Sequence, residues 1–166
     1  MAVSSVSTWS DEVLKGFEGL LERSLAAAGE VQRTFYGKPE RRLTAAAFLS
    51  TWNSIYMCAA TTCGPSMWPH VAGIKLEFDA EANLPMLVYL GGARERDLRA
   101  NPRVALQKHR DDGVVMVVYG RARWLPGEPS IDKRERRHAQ VLVTPVRAFG
   151  MGPYVEGPLA ARAPGA

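Results

Sequence analysis

The stretch GGARERDLR, at residues 91–99, contains the residues whose types and spacing most suggest chemistry. Its two glycines follow an apolar run typical of a strand, and a short helical pattern begins directly after them. A strand that turns into a helix at Gly91-Gly92 leaves backbone N–H groups free at the positive end of the helix, where an anion can bind. Arg94, in the first helical turn, can add a guanidinium that binds a phosphate through two hydrogen bonds. The stretch therefore indicates a phosphate site.

A structural explanation of the same residues stays open. The glycines would then only allow the chain to turn, and Arg94, Arg96 and Arg99 would lie in solvent. The net charge of +4 suits an anionic ligand, but no nucleic-acid-binding motif accompanies it, so we expect no nucleic-acid partner. The most basic run, DKRERRH at 132–138, is typical of a solvated surface segment.

Length and composition predict a single domain over residues 1–153 and a loose tail over 154–166. No apolar run reaches the length of a membrane span, and the N-terminus lacks a targeting pattern, so we expect a cytoplasmic protein without membrane attachment. Cys58 and Cys63 should face opposite sides of one strand and should not bridge each other. No spacing of cysteine or histidine indicates a metal site.

The elements that must position these residues follow from hydrophobic periodicity. Helical spacing predicts one helix over 10–28 and a second over 39–50, with Pro39 at its first position, in an N-terminal helical segment of residues 1–50. From residue 55 the period changes to that of strands. Alternation and turns predict six strands, at 55–63, 70–79, 84–90, 103–109, 114–124 and 140–150, and a short helix over 93–100. Six antiparallel strands over 55–150 predict a mainly β (α+β) fold with a small barrel.

Three segments of the chain resemble a known family in order and spacing. The segment AATTCGPSMWPHVAGIKLEFD looks like that family's first hairpin, RERDLRANPRVAL like its basic helix, and VVYGRARW like its Gly-x-Ala strand. Together, over about residues 57–124, they resemble the FMN-binding split-barrel family, which includes pyridoxamine phosphate oxidases, flavin reductases and deazaflavin-dependent reductases. The resemblance implies a six-stranded antiparallel split barrel and a homodimer with the cofactor between its subunits.

The resemblance also implies a cofactor site. Arg94 stands where the family places a lysine or arginine on the flavin phosphate, and Gly92 and Ala93 would supply the approach to it. The backbone at Thr61 and Thr62 would run beside the flavin ring. Since the cofactor carries the hydride chemistry to or from a small organic substrate, no catalytic side chain is predicted.

The resemblance assigns four further side chains to the cofactor site or substrate pocket by their positions. Each of them can instead have a purely structural role. Lys75 stands near the cofactor in the oxidases, but can equally be a solvent-facing strand lysine. Trp68 and Trp52 can line the substrate pocket or belong to the core, and His70 can line the pocket or only begin a strand.

Departures from the family pattern leave the cofactor open between three choices. Ala93 replaces one member of an Arg-Lys pair, Val115 replaces a polar flavin contact, and Glu95 adds a negative charge beside the phosphate. FMN is the first expectation. The alternatives are a deazaflavin (coenzyme F-420)-dependent reductase, with Arg121 and Arg123 lining a groove for an anionic tail, and a non-catalytic flavin- or haem-binding protein. A split barrel with an empty site that acts through protein partners is also open.

Overall fold

The computed structural model describes residues 9–154, which form four α-helices and one antiparallel sheet of seven strands. The helices are α1 (Asp11–Ala26), α2 (Glu30–Tyr36), α3 (Ala45–Ser54) and α4 (Ala93–Ala100), and a 3-10 turn covers Pro39–Arg41. The strands are β1 (Met57–Cys63), β2 (Pro69–Lys75), β3 (Leu84–Tyr89), β4 (Arg103–His109), β5 (Val115–Trp124), β6 (Ser130–Ile131) and β7 (Arg137–Met151). The C-terminal tail predicted from residue 154 lies, after Tyr154, outside the described residues.

The strands follow the order β2-β1-β4-β5-β7-β3, and β6 pairs with β7. Because β2 and β3 are both edges, the sheet is open and does not close into a complete barrel. The prediction of six strands is corrected to seven, because the structure adds β6. This strand has two residues, too few to show a period in the sequence. The last strand begins at Arg137 rather than at 140, and its register against β5 shifts at Tyr119/Gly120, opposite Pro145.

The predicted helix over 39–50 is wrong in its first half. Arg42 forms an isolated β-bridge with Met151, and the guanidinium of Arg41 donates to the carbonyls of Gly113 and Gly152. These contacts hold the backbone out of the helix until Thr44, whose Oγ1 caps α3. The structure also adds α2, a seven-residue helix without buried side chains, which explains why no apolar face indicated it.

Helices α1 and α3 cover the core side of the open sheet. Phe17 on α1 packs against Phe48 on α3 at 5.3 Å between ring centroids, and against Phe78 after β2 at 5.5 Å. Trp52 completes this aromatic cluster with its centroid 5.4 Å from that of Phe78, and it is fully buried. Ser24 ties α1 to the sheet, since its Oγ accepts a hydrogen bond of 3.0 Å from the amide of Ala148.

Alternate side chains of the central strands face opposite sides of the sheet. On β1 the buried residues are Cys58, Ala60 and Thr62, and the same alternation on β4 and β5 buries every second side chain in the core. We call the other side, away from the core, the outer face. Across it Thr61 pairs with Ala105, Ala105 with Tyr119, and Tyr119 with Arg147.

Lys108 on β4 is a fully buried lysine within this core. Its ammonium donates to the carbonyls of Trp52, at 2.8 Å, and Ile55, at 2.6 Å, which lie at the C-terminus of α3. The negative end of the helix dipole stabilises a cation there. Desolvation by burial is the largest influence on the pKa of Lys108 and lowers it to about 8, although the nearby groups Cys58 and Glu77 raise it.

We expect the buried Lys108 to make stability depend on pH. Below its folded pKa of about 8 the core must hold an ammonium, whereas above it the folded state loses the proton before the unfolded state does. The free energy of unfolding should therefore rise by about 1 kcal/mol between roughly pH 8 and 9, relative to Lys108→Met. Urea unfolding across this range measures it. Lys15→Met, at an exposed lysine of α1, should follow the wild type, and a Lys108→Met profile parallel to the wild type would contradict the assignment.

Candidate functional site

The turn between β3 and α4 has the geometry that the glycine pair predicts. Gly91 has a positive φ of 90°, which glycine adopts without strain, and Gly92 is the N-cap of α4. The carboxylate of Glu95 accepts the Gly91 N–H group at 2.6 Å. The amides of Ala93 and Arg94 have no acceptor within the helix, because the first turn of a helix lacks one. We call residues 91–94 the Arg94 turn.

The three arginines of α4 differ in their surroundings. Arg96 donates to the carbonyl of Gly91 at 3.4 Å, and Arg99 forms an ion pair with Glu95 at 2.8 Å; both are exposed. Arg94 is partly buried, and its guanidinium has no hydrogen bond or ion pair with any of residues 9–154. Burial lowers the pKa of Arg94, and the nearby groups Cys58 and Asp97 offset part of that effect. A partly desolvated cation is thus left available to a ligand.

Asp97 joins the same helix to the β1–β2 hairpin. It is only 3% exposed, and its Oδ2 accepts a hydrogen bond from Thr62 Oγ1 at 2.7 Å and lies 2.6 Å from Nδ1 of His70. Burial raises the pKa of Asp97, but the influences that lower it, first among them the hydrogen bonds from Thr62 and His70, together outweigh burial. The pKa of Asp97 is therefore below its ordinary value. A Cβ at Gly64 would collide with the Asp97 carboxylate, so this close approach requires glycine.

The ionised Asp97 fixes the orientation of the His70 ring. A carboxylate can only accept, so Nδ1 of His70 carries the hydrogen and Nε2 of the neutral ring is left with its lone pair. The His70 side chain is 47% exposed. Sequence reasoning missed Asp97. The one feature that could have indicated it is that an acidic residue stands among the arginines of α4, three residues after Arg94 and therefore on the same face of the helix.

The predicted site residues divide between the two faces of the hairpin. Thr62 pairs with His70 and lies on the side of α4, together with the Arg94 turn. Thr61 faces the opposite side, as does Lys75, which pairs with Met57 on β1. Lys75 forms an ion pair with Glu77 at 3.1 Å.

The two predicted pocket tryptophans lie in different environments. Trp52 is fully buried, and its indole N–H donates to the carbonyl of Leu76 at 3.2 Å. Of the two interpretations, pocket or core, the structure supports the core. Trp68 is 77% exposed, next to the β1–β2 turn, where Met67 has a positive φ of 61°. Trp52 is therefore removed from the candidate site, whereas Trp68 is exposed and remains a candidate.

A second candidate site lies on the outer face. It is a cleft of about 660 Å³ between α2 and strands β1, β4, β5 and β7. Arg103, Arg121 and Arg147 line it, together with Thr61 and Tyr119. We call it the arginine cleft. Of the two arginines predicted to line a basic groove, Arg121 is part of this cleft and Arg123 is not.

Two kinds of feature are not found in the part of the chain that the structure describes. Residues 9–154 contain no group of three or more histidine, cysteine or acidic side chains placed to hold a metal ion. None of the described helices is long and apolar enough to span a membrane.

Comparison with known proteins identifies the fold. No family profile matches this sequence, and no curated protein sequence matches it either. A conserved hypothetical protein of Mycobacterium tuberculosis superposes with a TM-score of 0.61 at 14% identity, over 72% of this chain and 95% of that one. An F-420 reductase matches with a TM-score of 0.51 at 20% identity, over 61% and 94%. A FAD-binding protein of Mesorhizobium loti matches with a TM-score of 0.52 at 18% identity, over 66% and 93%.

These similarities define the class of the protein at the level of its fold. The chain has the split-barrel fold, with an open antiparallel sheet, in common with this F-420 reductase and this FAD-binding protein. A haem storage protein of Vibrio cholerae also matches, with a TM-score of 0.53 at 12% identity. The resemblance to the FMN-binding split barrels is thus confirmed for the fold, which also occurs in a protein that stores haem.

We expect the contact between Asp97 and His70 to fix the histidine tautomer. In the wild type, long-range ¹H–¹⁵N NMR above the titration range of histidine should show His70 protonated at Nδ1, because the Asp97 carboxylate accepts that hydrogen. Asp97→Asn should allow the Nε2–H tautomer, whereas Thr62→Val, which keeps the carboxylate, should retain Nδ1–H. The signal is assigned by its loss in His70→Gln. A wild-type ring protonated at Nε2 would contradict the geometry.

Proposed function

We propose that this protein is a flavin-dependent oxidoreductase that binds FMN at the Arg94 turn and transfers hydride to or from a small organic molecule. The main support is the guanidinium of Arg94. It is partly buried and unpaired among residues 9–154, and it lies beside the free amides of a helix N-terminus. An anion bound there would compensate the cost of desolvating the cation. The fold shared with a FAD-binding protein supports the proposal.

The residues present fit the phosphate end of FMN. Gly92 and Ala93 carry no long side chain that would cover the free amides. The negative charge of Glu95 is already engaged by the Gly91 N–H group and by Arg99, which weakens its repulsion of a phosphate. The missing second cation at Ala93 leaves Arg94 as the main electrostatic contact.

The chain's own groups bind and orient, and the flavin, when bound, supplies the hydride chemistry. Arg94 and the amides of Ala93 and Arg94 hold the phosphate. The backbone near Thr62 runs beside the ring. His70, held by Asp97, presents Nε2 at the surface, where it can exchange a proton with the substrate.

The second candidate is a deazaflavin (coenzyme F-420)-dependent reductase, and the fold shared with an F-420 reductase favours it. Its anionic tail would need a basic groove that continues from the Arg94 turn. Arg121, however, lies on the outer face of the sheet, whereas the Arg94 turn lies on the side of α4. This separation makes FMN the preferred cofactor. A non-catalytic flavin or haem carrier is the third candidate, and a cytoplasmic location is part of the same proposal.

We expect Arg94 to determine FMN affinity. Arg94→Met keeps the length of the aliphatic stem but removes the charge-assisted hydrogen bonds, so FMN should bind about tenfold to a hundredfold more weakly. Quenching of FMN fluorescence on titration with protein measures the dissociation constant. Arg96→Met is the matched control, because Arg96 is an exposed arginine on the same helix, and its affinity should remain near wild type.

Equal losses in the two variants would contradict the site, and no FMN binding by the wild type would contradict the cofactor. Titration with coenzyme F-420 and with haem then tests the alternatives on the same variants. Bleaching of the bound flavin by a nicotinamide donor distinguishes an oxidoreductase from a carrier.

We further propose that the protein is a homodimer formed through the outer face of the β1–β2 hairpin. Two apolar side chains are exposed there, Met57 by 50% and Val71 by 65%, and Tyr56, which precedes β1, is 68% exposed. Apolar surface of this kind is typical of a protein interface. Thr61 and Lys75 share this face and would then lie at the boundary with the second subunit.

A charge placed on this surface should dissociate the dimer. Val71→Glu would bury a carboxylate in the interface and should shift the mass measured by light scattering from dimer to monomer. Leu87→Glu is the control, because Leu87 is similarly exposed (55%) on β3 at the other edge of the sheet. A wild-type monomer, or a Val71→Glu dimer as stable as the control, would contradict this interface.

A further inference from the structure

The arginine cleft collects three cations from three strands. Arg103 comes from β4, Arg121 from β5 and Arg147 from β7, and all three are exposed. None of the three guanidinium groups forms an ion pair or a hydrogen bond with residues 9–154. The described residues that line the cleft include no aspartate or glutamate.

The pairing of the strands makes this arrangement unfavourable in the absence of a ligand. Arg103 and Arg121 are direct partners across the β4–β5 ladder, so their side chains leave the sheet side by side on the outer face. Like charges at directly opposed positions destabilise a sheet. Arg147 lies opposite Tyr119, two residues from Arg121 on the same face of β5, and adds a third positive charge. A bound anion would turn this repulsion into attraction.

The walls of the cleft suit a small molecule. Its volume of about 660 Å³ lies within the range typical of small-molecule sites. Helix α2 forms one wall with Gln32, and it is held on the sheet because Tyr36 packs on Phe149 at 5.4 Å between ring centroids. Phe149 in turn contacts Tyr119 at 6.3 Å, which keeps one phenol ring at the floor of the cleft. Aromatic and hydroxyl groups therefore stand next to the three guanidinium groups.

We propose that the arginine cleft binds a small molecule that carries two or more phosphate or carboxylate groups. Three planar guanidinium groups can each hold such a group through paired hydrogen bonds, and a single anion would leave the directly opposed pair only partly neutralised. The site is separate from the Arg94 turn, because none of residues 91–94 lines the cleft. The proposal does not depend on flavin binding.

Calorimetric titration of the full-length protein tests it, with pyrophosphate, citrate and inorganic phosphate as probes. Pyrophosphate and citrate distinguish phosphate from carboxylate ligands, and at least one of them should bind one per chain and more tightly than inorganic phosphate. Arg121→Gln and Arg103→Gln should each weaken that binding about tenfold or more. Arg123→Gln is the matched control, because Arg123 lies two residues further on the same strand but outside the cleft, and it should bind as the wild type does.

Thermal unfolding without ligand provides a second measurement. If the cleft arginines only stabilised the fold, their removal would lower the melting temperature. Removing one of two opposed charges should leave the melting temperature of Arg103→Gln and Arg121→Gln unchanged or raised at low salt. FMN titration of the same variants separates the two proposals, because these variants should retain the FMN affinity of the wild type.

Four results would overturn the proposal. These are the absence of binding by both pyrophosphate and citrate, equal losses in Arg123→Gln and Arg121→Gln, a lower melting temperature of both cleft variants, and binding of single-stranded nucleic acid in place of the small anions. A shift of the cleft variants from dimer to monomer would also overturn it, since the arginines would then pair with acids of a second copy.

Discussion

The buried carboxylate of Asp97 is the contact on which the geometry of the proposed flavin site depends. It joins α4 to β1 through Thr62 and to β2 through His70, so one carboxylate links the helix to both strands of the hairpin. The Arg94 turn lies one helical turn earlier on α4, and this contact therefore holds it close to the hairpin. The same contact orients His70. A single ionised side chain thus contributes to the position of the proposed anion site and orients an imidazole.

The alternation of β1 separates the two basic regions of the molecule. Thr61 and Thr62 both line the arginine cleft, but their side chains lie on opposite sides of the sheet: Thr61 is on the outer face, whereas the Thr62 hydroxyl donates to Asp97 of α4. A ligand on one face therefore contacts different arginines from a ligand on the other. In a chain with a net charge of only +4, the arrangement of these arginines says more about ligands than the total charge does.

Periodicity predicted α1 and the central strands because each has a regular buried face; β2 was predicted as well, although none of its residues is buried in the structure. It also predicted α4, where Asn101-Pro102 ends the helix. The predicted start of α3 was wrong because Arg42 forms a bridge with Met151. These residues are 109 positions apart, so no local pattern indicates the contact. The small helix α2 was missed because it buries no side chain of its own.

The candidate site could be predicted from the sequence only in part. The glycine pair and Arg94 are local signals, and the structure places them together at the start of α4. The role of Asp97 depends on pairing between segments 27 and 35 residues away, at His70 and Thr62. The arginine cleft is similarly non-local, since Arg103, Arg121 and Arg147 become neighbours only through the sheet register.

The most direct test of the flavin site is a crystal structure of the protein grown with FMN. We expect the phosphate to lie within hydrogen-bonding distance of the Arg94 guanidinium and of the amides of Ala93 and Arg94, with the ring beside β1. A flavin whose phosphate lies among Arg103, Arg121 and Arg147, and leaves Arg94 without a partner, would contradict the assignment of the two sites.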